Sequence, residues 1–134
     1  KILTICLDNL KQTNLKKIGG KIESQADLNF HLAIIDSSHN IALLHFMKNM
    51  YSLADEGIFF NQSIADTKKD LREKLLDQHI LIYKSIMNSN PDEAKKNMQN
   101  HISYIKDAVL NFLLNEEREE ISFKRLNKIN KRNL

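Results

Sequence analysis

Four side chains in this sequence have the chemistry and spacing of a metal site. Asp27 and His31 lie one helical turn apart in SQADLNFHLAI, and His79 and His101 follow in LLDQHILIY and NMQNHISYI. Each histidine falls on the apolar stripe of a predicted helix, where burying an imidazole without a partner would be costly. Because a metal ion could use the imidazole lone pairs, the four residues together predict a cation held in the core of a helical domain.

Each of these features has a simpler explanation when it is taken alone. A single histidine on an apolar face is more often a hydrogen-bonded core residue, and an Asp and a His at positions i and i+4 often form a local ion pair. The joint pattern favours a metal, because three imidazoles and one carboxylate from three helices, all facing inward, would be hard to satisfy without an ion.

The donor set narrows the choice of ion. Three nitrogens and one oxygen suit Zn or Ni best, with Mn or Fe also compatible, whereas Ca and Mg prefer oxygen ligands alone. Four protein ligands could close a tetrahedral zinc site. An ion that prefers five or six ligands would instead keep positions open for water or a small anion such as a hydroxy- or keto-carboxylate.

The composition fits one soluble domain that spans residues 1–134. A chain of 134 residues buries roughly two thirds of its unfolded surface, and 42% hydrophobic with 28% charged residues is a typical globular balance. The longest apolar run is far short of the ~20 residues that span a bilayer. With no signal peptide visible, the cytoplasm is the default location. The only cysteine, Cys6, cannot form an internal disulfide and is expected to be a core thiol.

The net charge of +3 is unevenly distributed. Residues 121–134 contain no acid and five cations, Lys124, Arg125, Lys128, Lys131 and Arg132. The rest of the chain therefore lacks the broad basic face that non-specific DNA binding requires. We interpret the basic tail as the solvated end of a helix, where cations complement the helix dipole.

The hydrophobic pattern predicts an all-α protein, an antiparallel bundle of about six helices. Only three glycines and one proline interrupt the chain, and apolar residues recur at spacings of three and four. Ser24 is the expected N-cap of the second helix, and Asn90 with Pro91 predicts a turn followed by a new helix. The predicted helices pass through Ile2–Leu10, Leu28–Ile35, Ile41–Ala54, Leu71–Ile86 and Met98–Phe112, with a short helix or loop at 58–64 and a polar helix at about 116–131.

The motifs resemble those of a known family, the ligand-binding C-terminal FCD domain of FadR-type regulators in the GntR superfamily. ADLNFHLAIIDSSHN is similar to the family's Asp, Phe-His and Ser-x-Asn signature. LLDQHILIYKSIMNSNPDEAKKNMQNHI is similar to its second signature, a His and apolar helix, a short turn, and Ala-x-x-x-Met-x-x-His. The resemblance covers most of the chain.

The resemblance implies a role for each of these residues. Asp27, His31, His79 and His101 would be the metal ligands, and Asn40 would lie near the effector pocket. The SYIKDAVL stretch and the polar tail look most like members that respond to pyruvate and lactate. Such regulators bind operator DNA as homodimers through an N-terminal winged helix, and the effector acts on that binding.

Two parts of the family's pattern do not match this chain. The winged helix is missing, and so is the first FCD helix, which usually supplies an arginine to the pocket. The sequence is therefore expected to be a fragment of a regulator, reaching operator DNA only through the missing part. Arg72, seven residues before His79 on the same helical face, is the substitute candidate, although an exposed helix arginine is the favoured interpretation.

Two other classes of protein remain as alternatives. A metalloenzyme could use an open N3O site to activate water, but no HExxH or ExxH motif is present, so we do not expect an enzyme. A purely structural metal would predict a closed site that ignores small acids. His39 is expected at the surface, His45 at the surface or the pocket rim, and Tyr83 and Tyr104 in the core.

Overall fold

In the computed structural model the described residues are 1–16, 21–55 and 69–130, and they are helical with no strand. They form five helices, which is the all-α architecture that the apolar spacing predicts. These are α1 (Ile2–Leu15), α2 (Lys21–Ser37), α3 (Ile41–Asp55), α4 (Lys69–Met87) and α5 (Pro91–Asn130).

The chain divides into two compact units, Lys1–His101 and Ile102–Leu134. Within the first, α1 packs on α2 and α4, and α2 packs on α3. The core of this unit is a cluster of buried side chains around which the apolar faces of α1, α2 and α4 meet. Its buried members are Leu7, Leu10, Ala26, Phe30 and Ile82. Cys6, expected in the core, is partly buried against this cluster.

A short turn with specific caps connects α4 to α5, two of the helices that carry candidate ligands. Between α4 and α5, the amide of Asn90 donates to the carbonyl of Ser85, and Ser89 has a φ of 53°, the left-handed end that commonly terminates a helix. Asn90 then caps α5, because its Oδ1 accepts from the amide of Glu93 at 3.2 Å. The turn therefore returns the first part of α5, up to His101, alongside α4 after three residues.

Two details differ from the sequence-based expectations, and one expectation is untested. Helix α2 begins at Lys21, so Ser24 lies inside it and is not its N-cap. The two helices predicted at the C-terminus form one, since α5 runs through to Asn130. The predicted short helix or loop at 58–64 falls outside the described residues.

Among the described residues, no helix combines the length and the apolar character needed to cross a membrane.

Candidate metal centre

Three helices of the first unit bring the four predicted ligands together. Asp27 and His31 project from one face of α2, as their spacing of one turn requires, while His79 comes from α4 and His101 from the first part of α5. His79 is 2% exposed and His101 is fully buried. The side chains of His31 and Asp27 retain 11% and 17% exposure, so the group faces the interior with one partly open side.

The three imidazoles point the same ring nitrogen at one another. Nε2 of His31 lies 3.2 Å from Nε2 of His79 and 3.3 Å from Nε2 of His101. The rings of His31 and His101 are stacked at 5.2 Å between centroids, and those of His79 and His101 are 4.4 Å apart. The Nε2 atoms of three side chains therefore meet in one small volume, and they form the cluster suited to a metal ion among the described residues.

Asp27 supplies the oxygen beside this cluster. Its Oδ1 accepts a hydrogen bond from Nε2 of His79 at 3.0 Å and lies 3.8 Å from Nε2 of His31. Burial alone would raise the pKa of the Asp27 carboxyl, but the hydrogen bond from His79 and the nearby imidazoles outweigh it and lower that pKa. The carboxylate is therefore ionised at neutral pH and contributes a full negative charge.

The imidazoles of His31 and His101 are held in their neutral form. Burial lowers the pKa of His31 more than the charge of Asp27 raises it. Burial, followed by the proximity of His79 and His31, lowers the pKa of His101 to about 3. Since only a neutral imidazole has a lone pair to donate, both rings are in the protonation state that metal binding requires.

The spacing of the donor atoms fits a first-row transition metal. With metal–nitrogen bonds of about 2.0–2.1 Å, adjacent ligand nitrogens stand ~3.0 Å apart at a right angle and ~3.4 Å apart at the tetrahedral angle. The observed separations of 3.2 and 3.3 Å lie inside this range. The donor set of three imidazoles and one carboxylate also matches the ligand preference of such ions.

The sequence did not predict that two further residues, Gln78 and Tyr51, lie near the cluster. Gln78, next to His79 in sequence, accepts a hydrogen bond from Nδ1 of His101 at 2.9 Å. Tyr51 on α3 is half-buried, and burial together with the charge of Asp27 raises its pKa to about 12. The predicted helix Ile41–Ala54 includes Tyr51, but its periodicity does not indicate a carboxylate near that residue.

Phe30, the first residue of the Phe-His pair, contacts two of the imidazoles. It is fully buried, and its ring meets those of His31 and His79 edge-on, with centroids 5.7 and 5.0 Å away. Edge-to-face contacts of this kind add to the stabilisation from burial. The side chain therefore packs against both rings as well as filling the core.

The other residues singled out from the sequence have more local roles. Asn40 is exposed and caps α3, since its Oδ1 accepts from the amide of Leu43 at 3.0 Å. Arg72 is half-buried, in contrast to the exposed position that we favoured, and its carbonyl accepts from Asn14 at 3.3 Å. His39 and His45 are exposed.

The two tyrosines expected in the core are both half-buried. Tyr83 forms a hydrogen bond with the Thr4 hydroxyl at 3.0 Å. Tyr104 lies in the second unit.

Comparison with known proteins identifies relatives along most of the chain. The chain is 31% identical over 91 residues to the putative L-lactate dehydrogenase operon regulatory protein of Escherichia coli, which covers 68% of this chain and 35% of that protein. It is 30% identical over 103 residues to the HTH-type transcriptional regulator LutR of Bacillus subtilis, covering 76% and 47%. With the Glc operon transcriptional activator of Escherichia coli it shares 24% identity over 107 residues, covering 78% and 42%.

The chain thus spans less than half the length of these curated relatives. No solved structure matches it. The family model for the FCD domain matches residues 9–104, which include all four candidate ligands. The chain therefore belongs to the FCD domain family, the C-terminal domain type of GntR/FadR regulators.

Proposed function

We propose that this chain is the metal-dependent, small-carboxylate-sensing and dimerisation domain of a bacterial GntR/FadR-type transcriptional regulator. The observation that carries the proposal is the convergence of the Nε2 atoms of His79 and His101 on Nε2 of His31, each within hydrogen-bond distance of it, beside the Asp27 carboxylate. In the proposed regulator an ion held there is part of the sensor, and operator DNA is bound by a winged-helix domain outside this sequence.

Asp27, His31, His79 and His101 would hold the ion, with Zn or Ni the preferred metals and Mn or Fe also compatible. When bound, it supplies a positive centre with room for an anionic oxygen ligand. His31 and His101 need no deprotonation to bind it, because both are neutral near pH 7. Nε2 of His79 donates to Asp27 in this structure, so ion binding at this position would require the other tautomer, with the ring proton on Nδ1.

The proposed effector is a small organic acid of the lactate or pyruvate type. A hydroxy- or keto-carboxylate offers two oxygens that can chelate an ion with free coordination positions. The partial exposure of His31 and Asp27 gives such a molecule a side from which to approach. The name of one relative, a putative L-lactate dehydrogenase operon regulatory protein, favours this class of small organic acids. The family resemblance adds Asn40 and Arg72 as candidate effector contacts.

The arrangement of the ligands suggests how sensing would reach the rest of a regulator. The four proposed ligands come from α2, α4 and α5, so a change in coordination would move side chains on three helices at once. A ligand can shift a conformational equilibrium only by its difference in affinity for the two states. A chelating effector has that difference if the helices pack differently with and without it, and a homodimer would transmit the change to two DNA-binding domains.

Metal content is the first test. Purified wild-type protein is expected to hold about one transition-metal ion per chain, measured by mass spectrometry of the metals. His79→Ala and His101→Ala should lose it, while His45→Ala, at an exposed histidine, should keep it. Equal metal content in all four proteins would overturn the proposal.

Effector response is the second test, and it separates a sensor from a structural site. Lactate, pyruvate and other acids of two to four carbons are screened by thermal shift, with and without a chelator. A sensor is stabilised by its effector, by about 2.7 kcal/mol at one hundred times Kd, and loses this response when the metal is removed. A closed structural site, which four nearby protein ligands could also form, would show metal stabilisation and no response to acids.

A third candidate, a metalloenzyme, is tested in the same samples. The matched relatives are named as transcriptional regulators, which favours the sensor. Steady turnover of any of these acids, lost in His79→Ala, would favour the enzyme.

A further inference from the structure

The buried histidine of α5 has a polar partner behind it. Nδ1 of His101 lies 2.9 Å from Oε1 of Gln78 on α4. A carbonyl oxygen only accepts hydrogen bonds, so Nδ1 must be the protonated nitrogen of the ring. A neutral imidazole has one proton, which leaves Nε2 of His101 with its lone pair directed at Nε2 of His31, 3.3 Å away.

We infer that Gln78 is a positioning residue of the metal centre, which sets the Nδ1–H tautomer and ring orientation of His101 before any ion binds. The hydrogen bond between Gln78 and His101 supports the tautomer and ring orientation. The role of that tautomer in metal binding rests on the proposed function. Metal-bound histidines commonly donate their second ring N–H to an oxygen acceptor, which fixes the tautomer and raises the basicity of the ligand. Gln78 provides that acceptor from the helix that also carries His79.

A second polar contact fixes how α5 lies on α4. Nδ2 of Asn97, one turn before His101, donates to Oγ of Ser85 at 2.8 Å, and Ser85 is 2% exposed. The hydroxyl of Ser85 donates in turn to the carbonyl of Leu81 at 2.8 Å. Position 78 therefore pairs with 101 and position 85 with 97, so α4 and the first part of α5 run antiparallel in a defined register.

This register decides where His101 points. A helix turns by about 100° per residue, so a shift of one residue would take the ring out of the cluster. The Ser85–Asn97 contact holds the rotation of α5, and Gln78 then selects the tautomer. Both are needed for a lone pair at this site, because the alternative tautomer would aim an N–H at the ion.

Substitution of Gln78 tests the inference by removing or keeping the acceptor. Gln78→Leu has no acceptor and should weaken zinc binding about 10-fold or more, the usual range for such partners being 10–100-fold. Gln78→Glu can only accept at its carboxylate and should retain wild-type affinity or exceed it. Gln99→Leu, at an exposed glutamine of α5, is the matched control and should leave affinity unchanged. Affinity is measured by competition with a chromogenic chelator.

The tautomer itself is read by long-range proton–nitrogen NMR of the metal-free protein. His101 should show Nδ1–H in the wild type and in Gln78→Glu, and a tautomer mixture in Gln78→Leu. If the Leu variant does not fold by circular dichroism, Gln78→Ala replaces it. Wild-type zinc affinity in a folded Gln78→Leu or Gln78→Ala protein would overturn the inference and leave the proposed function standing. A wild-type protein that binds no metal would overturn the proposed function, and the inference is then decided by the tautomer alone.

Discussion

His79 on α4 and Asp27 on α2 are joined by a hydrogen bond of 3.0 Å from Nε2 to Oδ1. The bond connects two helices through groups that are almost withdrawn from solvent, with side-chain exposures of 3% and 17%. A hydrogen bond to a charged group contributes about 1.5–3 kcal/mol when it is formed inside a protein. The same pair thus stabilises the metal-free fold and brings two of the proposed ligands into place.

Asp27→Asn should reveal both of these contributions. The amide keeps the shape of the side chain but removes the charge, so the metal-free protein should lose about 1–3 kcal/mol of unfolding free energy. Zinc affinity should fall at least about tenfold, since the neutral amide is a weaker ligand than a carboxylate. Urea unfolding and chelator competition measure the two effects. Asp36→Asn, at an exposed aspartate of the same helix, should change neither, and an unaltered zinc affinity in Asp27→Asn would remove Asp27 from the ligand set.

The sequence predicted that these four side chains lie together, because their positions follow from helical geometry. The i, i+4 spacing of Asp27 and His31 puts them on one face of α2, and the apolar neighbours of His79 and His101 turn those rings inward. Gln78 could not be predicted in the same way, since its pairing with His101 depends on how α4 and α5 are rotated against each other. That rotation is set by tertiary contacts such as Ser85–Asn97.

For the fold, too, one part could be predicted from the sequence and another could not. Apolar spacing and the scarcity of glycine and proline were sufficient to predict an all-α chain. The sequence does not indicate the continuity of α5, because it becomes more polar near residue 116, where the hydrophobic pattern predicts a separate helix. Glutamate, arginine and lysine are good helix formers, and no proline or glycine follows Pro91 within α5. A change from a buried to a solvated face therefore does not end a helix.

Acid should destabilise the metal-free protein. The pKa of His101 is about 3 in the fold, against an ordinary value of 6.5, so between these pH values the unfolded chain binds a proton that the folded chain does not. Stability must therefore fall as pH decreases from about 6.5 toward 3. His31, whose pKa is also lowered, acts in the same direction. Asp27 adds to the loss below its ordinary value of 3.8, because its pKa is lowered too.

Thermal unfolding of the metal-free protein between pH 7.5 and 4.5 measures this dependence. His101→Gln removes one of the groups and should flatten the decline, even if it lowers stability at pH 7.5. His45→Gln removes an exposed histidine and should keep the wild-type slope. A melting temperature that stays constant down to pH 4.5 would contradict the neutral, buried state of His101.

Phe30 should affect the metal site as well as the core. Truncation of a fully buried phenylalanine to alanine costs about 3–5 kcal/mol, and Phe30→Leu should cost less. Because the ring of Phe30 contacts those of His31 and His79 edge-on, either variant should also weaken zinc binding. Leu7→Ala, in the same core but on α1, is the control for a general loss of stability. Equal zinc affinities in Phe30→Leu and Leu7→Ala would show that Phe30 only fills space.

Asn40 offers a direct way to separate a cap from an effector contact. Its side-chain oxygen caps α3 through the amide of Leu43, so Asn40→Ala should cost about 1 kcal/mol of stability. Asn40→Asp preserves the cap, because a carboxylate oxygen accepts the same hydrogen bond, but adds a negative charge. If Asn40 lies at the effector pocket, this charge should weaken binding of a carboxylate effector in the metal-loaded protein while stability stays near wild type. Calorimetric titration with lactate or pyruvate, beside a melting curve for each variant, measures both quantities. Undiminished effector binding in a stable Asn40→Asp protein would limit Asn40 to its capping role.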